Sequence, residues 1–199
     1  MTAMMNRLFA IAALGVMFTA PAFGQGQQQQ APPTTSAFLR NMYNGNKNNI
    51  IRSGEKVPED LYGLRPGPQM EVRTFGQHLA HVAKYNYLWC SQAKSEKNPN
   101  TDPDLEKSLK TKAEFQKALA DSFAYCDPVY QSLDDQNGAQ VVEIQQENGR
   151  VTRNTRMALL MLNVVHNNEI YGNLVTTMRI KSIVPPSSEP RPAQPAQSR

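Results

Sequence analysis

The clearest helix in the sequence is TFGQHLAHVAKYNYLWCSQAK, residues 74–94. Within it, five mostly apolar side chains follow one another at alternating gaps of four and three residues: Phe75, Leu79, Val82, Asn86 and Trp89. Because an α-helix advances about 100° per residue, this spacing places all five on a single stripe. The stretch therefore predicts an amphipathic helix that packs one side against a core.

The same periodicity predicts three further helices, over residues 36–57, 105–133 and 152–180. Pro128 is expected to kink the third, since a proline inside a helix removes one hydrogen bond. The fourth is apolar on two sides, which is typical of a helix packed between neighbours. Strand patterns are scarce, and only residues 141–144 are expected to be extended. The predicted fold is all-α, a four-helix bundle with long inter-helix loops.

Both ends of the chain differ in composition from the body at 36–184. Residues 1–24 combine Arg7, a short apolar run and small residues near position 24, which is typical of a signal peptide cleaved before Gln25. A flexible Gln/Pro leader is predicted at 25–35 and a Pro-rich disordered tail at 185–199. We therefore expect an exported protein, periplasmic or secreted, with no membrane span after cleavage.

The charge balance is modest. The sequence has 21 basic and 17 acidic side chains, a net charge of +4, and the Lys and Arg residues are interleaved with acids. Nucleic-acid-binding domains usually concentrate Lys and Arg on one face, so no nucleic-acid partner is expected. A composition that is 40% hydrophobic and 19% charged excludes a wholly disordered or collagen-like chain.

The sequence contains three histidines, His78, His81 and His166. The first two lie three residues apart, so they are neighbours on the surface of the second helix. The third lies midway along the most apolar helix. Imidazoles that project inward from different helices are how bundles build metal sites, although a helical histidine can equally be a hydrogen-bonded core residue. Spacing alone leaves both interpretations open.

The two cysteines, Cys90 and Cys126, lie on the second and third predicted helices. Free thiols are disfavoured in an oxidising compartment, so the pair predicts a disulfide between these helices. The alternative is two buried, reduced cysteines that act as small apolar side chains.

Several motifs resemble the DinB-like family. They occur in the family's order. The second helix carries RTFGQ at 73–77, followed by His81, Asn86-Tyr87 and Cys90, and the third carries SFAYCD at 122–127. The last helix and the segment after it carry HNNEIYG at 166–172, Arg179 and IVPPSS at 183–188. The resemblance covers nearly all of the body. It implies a four-helix bundle of the type shared with the bacillithiol and mycothiol S-transferases and with a set of metalloenzymes.

The resemblance also implies a site for one divalent metal, zinc, nickel or manganese, held by three histidines. Two of them match His81 and His166, whereas the third should stand where this chain has Ile170. Isoleucine has no lone pair to donate, so the implied site is incomplete. Glu169 and His78 are the auxiliary candidates, because each lies about one turn from a matched histidine.

Two functions follow from this incomplete site. The retained histidines favour a metal-dependent enzyme, by resemblance a hydrolase or thiol S-transferase, with His81 and His166 as ligands. The isoleucine at position 170 favours an exported, non-catalytic bundle that binds a small apolar ligand or a protein partner. A homodimer is compatible with either function.

Overall fold

The computed structural model describes residues 33–146 and 148–190 of the chain. Its elements follow one another as α1 (Thr35–Lys56), α2 (Phe75–Lys94), α3 (Leu105–Ser108), α4 (Lys112–Gln131), α5 (Asp135–Gly138), β1 (Val141–Gln145), β2 (Val151–Thr155) and α6 (Arg156–Ile180). The four long helices pack against one another as a bundle, with α2 against α4 and α6 and with α1 against the same two helices. The predicted all-α bundle is therefore confirmed.

Three sequence predictions lie wholly or partly outside the described residues. They are the signal peptide at 1–24, most of the leader at 25–35, and the end of the tail at 185–199. The part of the chain that is described contains no helix long and apolar enough to cross a bilayer.

The third predicted helix is two helices, so its continuous span at 105–133 was wrong. The chain leaves helical geometry at Leu109, and α4 starts afresh after Thr111. The Thr111 side chain accepts a hydrogen bond from the backbone N–H of Glu114, and the Glu114 carboxylate accepts one from that of Thr111. This reciprocal cap stabilises a helix start at that point. Short α3 is thereby free to lie against α2.

The start of the fourth predicted helix, at residue 152, was also wrong. Residues 151–155 form β2, which pairs antiparallel with β1 in a register that sets Val141 opposite Thr155. Thr155 then caps α6, because its side chain accepts a hydrogen bond from the backbone N–H of Ala158. The β-branched residues at 151, 152 and 155 favour an extended strand over the first turn of a helix. The extended piece predicted at 141–144 is confirmed as β1.

A ring stack, a hydrogen bond and an ion pair join α1 to α4. The rings of Tyr43 and Tyr130 stack with centroids 3.7 Å apart. The Tyr43 hydroxyl donates to a carboxylate oxygen of Asp127 at 2.8 Å, and Lys47 pairs with the same carboxylate at 2.6 Å. Burial, followed by the hydrogen bond to Asp127, raises the pKa of Tyr43 far above its ordinary value. These contacts hold the asparagine-rich helix α1, whose intrinsic helix propensity is poor.

The described chain continues past the predicted end of the body at residue 184. Residues 186–188 form a short 3-10 turn, and the Tyr171 hydroxyl and the Ser187 side chain are hydrogen-bonded at 2.8 Å. Glu189 forms ion pairs with Lys56, at 2.6 Å, and with Arg52. The first residues of the predicted tail are therefore attached to α1 and α6.

A disulfide joins Cys90 of α2 to Cys126 of α4, with 5.5 Å between the two Cα atoms. This is the pairing that the sequence predicted. Both residues are fully buried, and the Asn163 amide nitrogen of α6 lies 3.8 Å from the Cys90 sulfur. The bridge therefore links α2 to α4 at a point that α6 covers.

Candidate functional site

The structure brings His81 and His166 together. His81 lies on α2 and His166 on α6, and their ring centroids are 4.9 Å apart with 41° between the ring planes. The two helices pack directly against each other, so residues 85 positions apart in sequence come to share one site. This is the arrangement that the resemblance implied for the first two histidines.

The rotation of α6 against α2 is fixed by a buried chain of polar side chains. The Asn167 amide donates to the Asn86 side-chain oxygen at 2.9 Å, and the Asn86 amide donates to the Ser122 hydroxyl at 3.1 Å. All three residues are almost completely buried. Leaving a buried polar group without a partner costs free energy, so these hydrogen bonds disfavour any other register of the two helices. His166 precedes Asn167 and is positioned by the same register.

Glu106 of α3 orients His81. Its carboxylate lies 2.5 Å from the His81 Nδ1 atom, and its second oxygen accepts a hydrogen bond from the Arg73 guanidinium at 2.6 Å. Burial alone would raise the pKa of Glu106, but the hydrogen bonds from His81 and Arg73 outweigh it and lower the pKa to about 2. An ionised carboxylate only accepts, so the His81 Nδ1 atom carries a proton, and Nε2 is the ring nitrogen left for any further partner.

His166 sits among aromatic rings. Its ring centroid lies 4.7 Å from that of Tyr85 and 4.9 Å from that of Trp89, both on α2. Neither of its buried ring nitrogens has a hydrogen-bond partner in the described part of the chain. Burial, followed by the nearby charge of His81, lowers the pKa of His166 to about 4. Its imidazole is therefore neutral at pH 7 and keeps a free lone pair.

The two auxiliary candidates are placed differently. His78 lies one turn before His81 and is buried, and burial followed by the charge of Arg73 lowers its pKa to about 4. Its Nδ1 atom is also buried without a partner among the described residues. Glu169 lies on the exposed face of α6. Within the described chain, no ring contact joins His78 to the pair formed by His81 and His166.

The donor set fits two coordination positions and lacks a third. Two imidazoles bound to one zinc at near-tetrahedral angles hold their ring centres roughly 5 Å apart, which agrees with the spacing of His81 and His166. Ile170 lies one turn beyond His166 and is only 4% exposed, within the hydrophobic core. Across residues 33–146 and 148–190 there is no group of three or more His, Cys, Asp or Glu side chains that could share a metal. The three-ligand set that a catalytic zinc normally uses is therefore incomplete.

Glu106 is the site residue that sequence reasoning missed. The continuous helix predicted over 105–133 would have carried it as one more charge on a solvated face. Its role depends on the break before Thr111, which lets α3 lie beside α2. The capping box at Thr111 and Glu114 was the available sequence signal for that break.

Comparison with known families gives a match to the DinB superfamily over residues 45–169, more than half of the chain. No curated protein matches the sequence. A solved structure described as a conserved protein from Enterococcus faecalis superposes with a TM-score of 0.56 at 12% identity, covering 74% of this chain and 97% of that one.

Two structures of mycothiol-dependent maleylpyruvate isomerase are also similar. One is a histidine-to-alanine mutant with a TM-score of 0.54 at 13% identity, and the other has a TM-score of 0.51 at 14% identity. Each alignment covers 71% of this chain but 63% of the isomerase, which is thus the longer protein. At such identities these likenesses show a common fold. Together with the family match over most of the bundle, they establish that this chain belongs to the DinB superfamily.

Proposed function

We propose that this chain is an exported member of the superfamily that binds one divalent cation weakly between His81 and His166. The observation that carries the proposal is the facing pair of rings, in which the two buried ring nitrogens of the neutral His166 have no hydrogen-bond partner among the described residues. Buried polar atoms are nearly always satisfied, so an unpartnered pair beside a second imidazole points to an occupant from outside the chain.

The surroundings of His81 support a cation as the occupant. Metal-bound histidines almost always donate their second ring nitrogen to a carboxylate or carbonyl, as His81 does to Glu106. Imidazole donors suit zinc and nickel better than manganese, which prefers oxygen ligands. Zinc or nickel is therefore the cation that we propose. A bound ion of this kind would supply Lewis-acid chemistry.

The reaction class that we propose is thiol-dependent transfer or isomerisation, or hydrolysis. Its basis is the superfamily and the likeness to the mycothiol-dependent isomerase. No catalytic residue is assigned, because the described donors number two and Ile170 occupies the position of the third. Binding is accordingly the property to test first.

Calorimetric titration of zinc into tag-free, chelator-stripped mature protein tests this proposal. We expect one weak site per chain that is lost in His81→Ala and in His166→Ala. His78→Ala is the matched control, since it removes a buried imidazole of the same helix and should keep the site. Binding that survives both single substitutions, or its absence from the wild type, would contradict the proposal.

A second candidate is a non-catalytic bundle that binds a small apolar ligand or a protein. The observation in its favour is the dry environment of position 170, where buried Ile170 joins the core and aromatic rings pack on His166. A folded wild-type protein that does not bind zinc would support this candidate.

Export is proposed from the sequence of residues 1–24. Amino-terminal sequencing of protein recovered from the periplasm or the medium of an expressing bacterium should begin at Gln25. Recovery of the full-length chain in the cytosolic fraction would contradict export.

A further inference from the structure

Two neighbouring helices expose large apolar side chains on one side of the bundle. On α6 these are Met161, Leu162 and Val165, of which Val165 is 60% exposed. On α1 they are Phe38, 65% exposed, and Met42. The five residues are called the α1–α6 face below.

The face is continuous because α1 and α6 lie side by side and run in the same direction. The Asn46 amide donates to the Val164 carbonyl at 2.9 Å, and Lys56 at the end of α1 donates at 2.8 Å to the carbonyl of Val184, a few residues past the end of α6. Met42 lies one turn before Asn46, and Met161 lies about one turn before Val164. The two methionines are therefore at the same height on adjacent helices.

The middle stretches of α1 and α6 that adjoin the face carry little exposed charge. The exposed residues there are mostly uncharged: Asn41, Asn44, Gly45 and Asn48 on α1, and Asn168, Gly172, Asn173 and Thr176 on α6; the exposed charges of α1 begin at Arg52. Glu169 is the one exposed charged residue of α6 between its positions 161 and 176. Depletion of charge distinguishes the core of a protein interface from the rest of the surface.

The size of the face suits an interface between two protein chains. The exposed portions of its five residues amount to roughly 500 Å², and the largest apolar patch of a monomer, which is of about this size, is often a functional surface. A standard interface buries roughly 800 Å² per partner, so the face with part of its asparagine border would suffice.

We propose that this face binds a second copy of the chain in a two-fold symmetric dimer. In such an interface each residue meets the same surface of the partner, so charges in the patch would confront like charges. An uncharged face avoids that repulsion, whereas it offers nothing to match a charged partner. Asparagine side chains both donate and accept, so the border can hydrogen-bond to its own copy. The dimer does not depend on cation binding.

Sedimentation velocity of the mature chain over a range of concentrations tests the proposal. We expect the wild type to be a dimer and Val165→Lys to raise the dimer dissociation constant at least about 100-fold, since a lysine there would be desolvated without a partner. Val141→Lys is the matched control, because Val141 on β1 is 64% exposed and lies outside the face. Circular dichroism should show that both variants keep the helical fold.

Three results would overturn the dimer. They are a wild type that stays monomeric at the highest concentration, equal dissociation of the Val165→Lys and Val141→Lys variants, and a dimer that survives Val165→Lys combined with Met42→Lys. A monomeric wild type that binds phospholipid vesicles through the same face would identify a lipid surface in place of a second copy.

Discussion

Removal of the bridge between Cys90 and Cys126 should cost the protein about 4 kcal/mol of unfolding free energy. The two cysteines are 36 residues apart, and closing a loop of that length in the unfolded chain lowers its entropy by about 13 cal/mol/K in the chain-entropy model. At room temperature this corresponds to about 4 kcal/mol. For a chain of this size the melting temperature should fall by roughly 10 °C.

Urea unfolding followed by far-ultraviolet circular dichroism measures this difference. The oxidised wild type should be compared with the double variant Cys90→Ala/Cys126→Ala and with wild type reduced under denaturing conditions and refolded with reductant. The reduced protein keeps both sulfur atoms, so it separates the loss of the cross-link from the loss of side-chain packing. The urea dependence should steepen when the bridge is absent, because the unfolded chain then exposes more surface.

Two outcomes would refute the reasoning. A difference below about 1 kcal/mol between oxidised and reduced protein would show that the bridge does not constrain the unfolded chain as the loop length requires. Titration that finds two free thiols in denatured, unreduced protein would show that the bridge is absent.

Three further predictions concern single positions. In chelator-treated protein, the free energy of unfolding should be highest above about pH 6.5 and fall as the pH drops toward 4, because burial lowers the folded-state pKa of His78 to about 4 and the unfolded chain therefore takes up a proton at higher pH than the folded chain. His78→Gln should remove up to about 3 kcal/mol of this loss of stability. An unfolding free energy of the wild type that does not change between pH 6.5 and 4 would contradict the prediction. Gly76→Ala should destabilise the fold by about 1–3 kcal/mol in urea unfolding, because the new Cβ atom would lie 2.7 Å from the Phe115 ring. The control Gly63→Ala should be nearly neutral, because a Cβ atom there meets nothing within 4 Å. Equal losses of stability in the two variants would be inconsistent with this packing. Glu106→Gln should weaken zinc binding by about 10–100-fold in calorimetry, and unchanged affinity would show that the carboxylate does not orient the ring of His81.

The long helices could be predicted because their apolar residues repeat with the helical period. In α2 the stripe from Phe75 to Trp89 continues without interruption, and its observed bounds differ from the prediction by one residue. The disulfide was predictable as well, because the chain contains two cysteines and a signal-like N-terminus that implies an oxidising compartment.

The errors fall where local bonding overrides periodicity. The capping box at Thr111 ends the apparent third helix, and pairing with β1 draws residues 151–155 out of the fourth. Glu106 could not be placed beside His81 until that break was known, since the contact depends on how α3 folds back onto α2. The facing of His81 and His166 came from the family resemblance, because single-helix periodicity does not say which sides of two helices meet.

The most direct test of the account is zinc affinity after Ile170→His. If His81 and His166 face a site that lacks only the donor at position 170, the substitution should tighten zinc binding at least about 100-fold relative to wild type. Ile170→Leu should bind like the wild type, and adding His81→Ala to Ile170→His should abolish the gain. A folded Ile170→His protein that binds zinc no more tightly than the wild type would contradict the shared site.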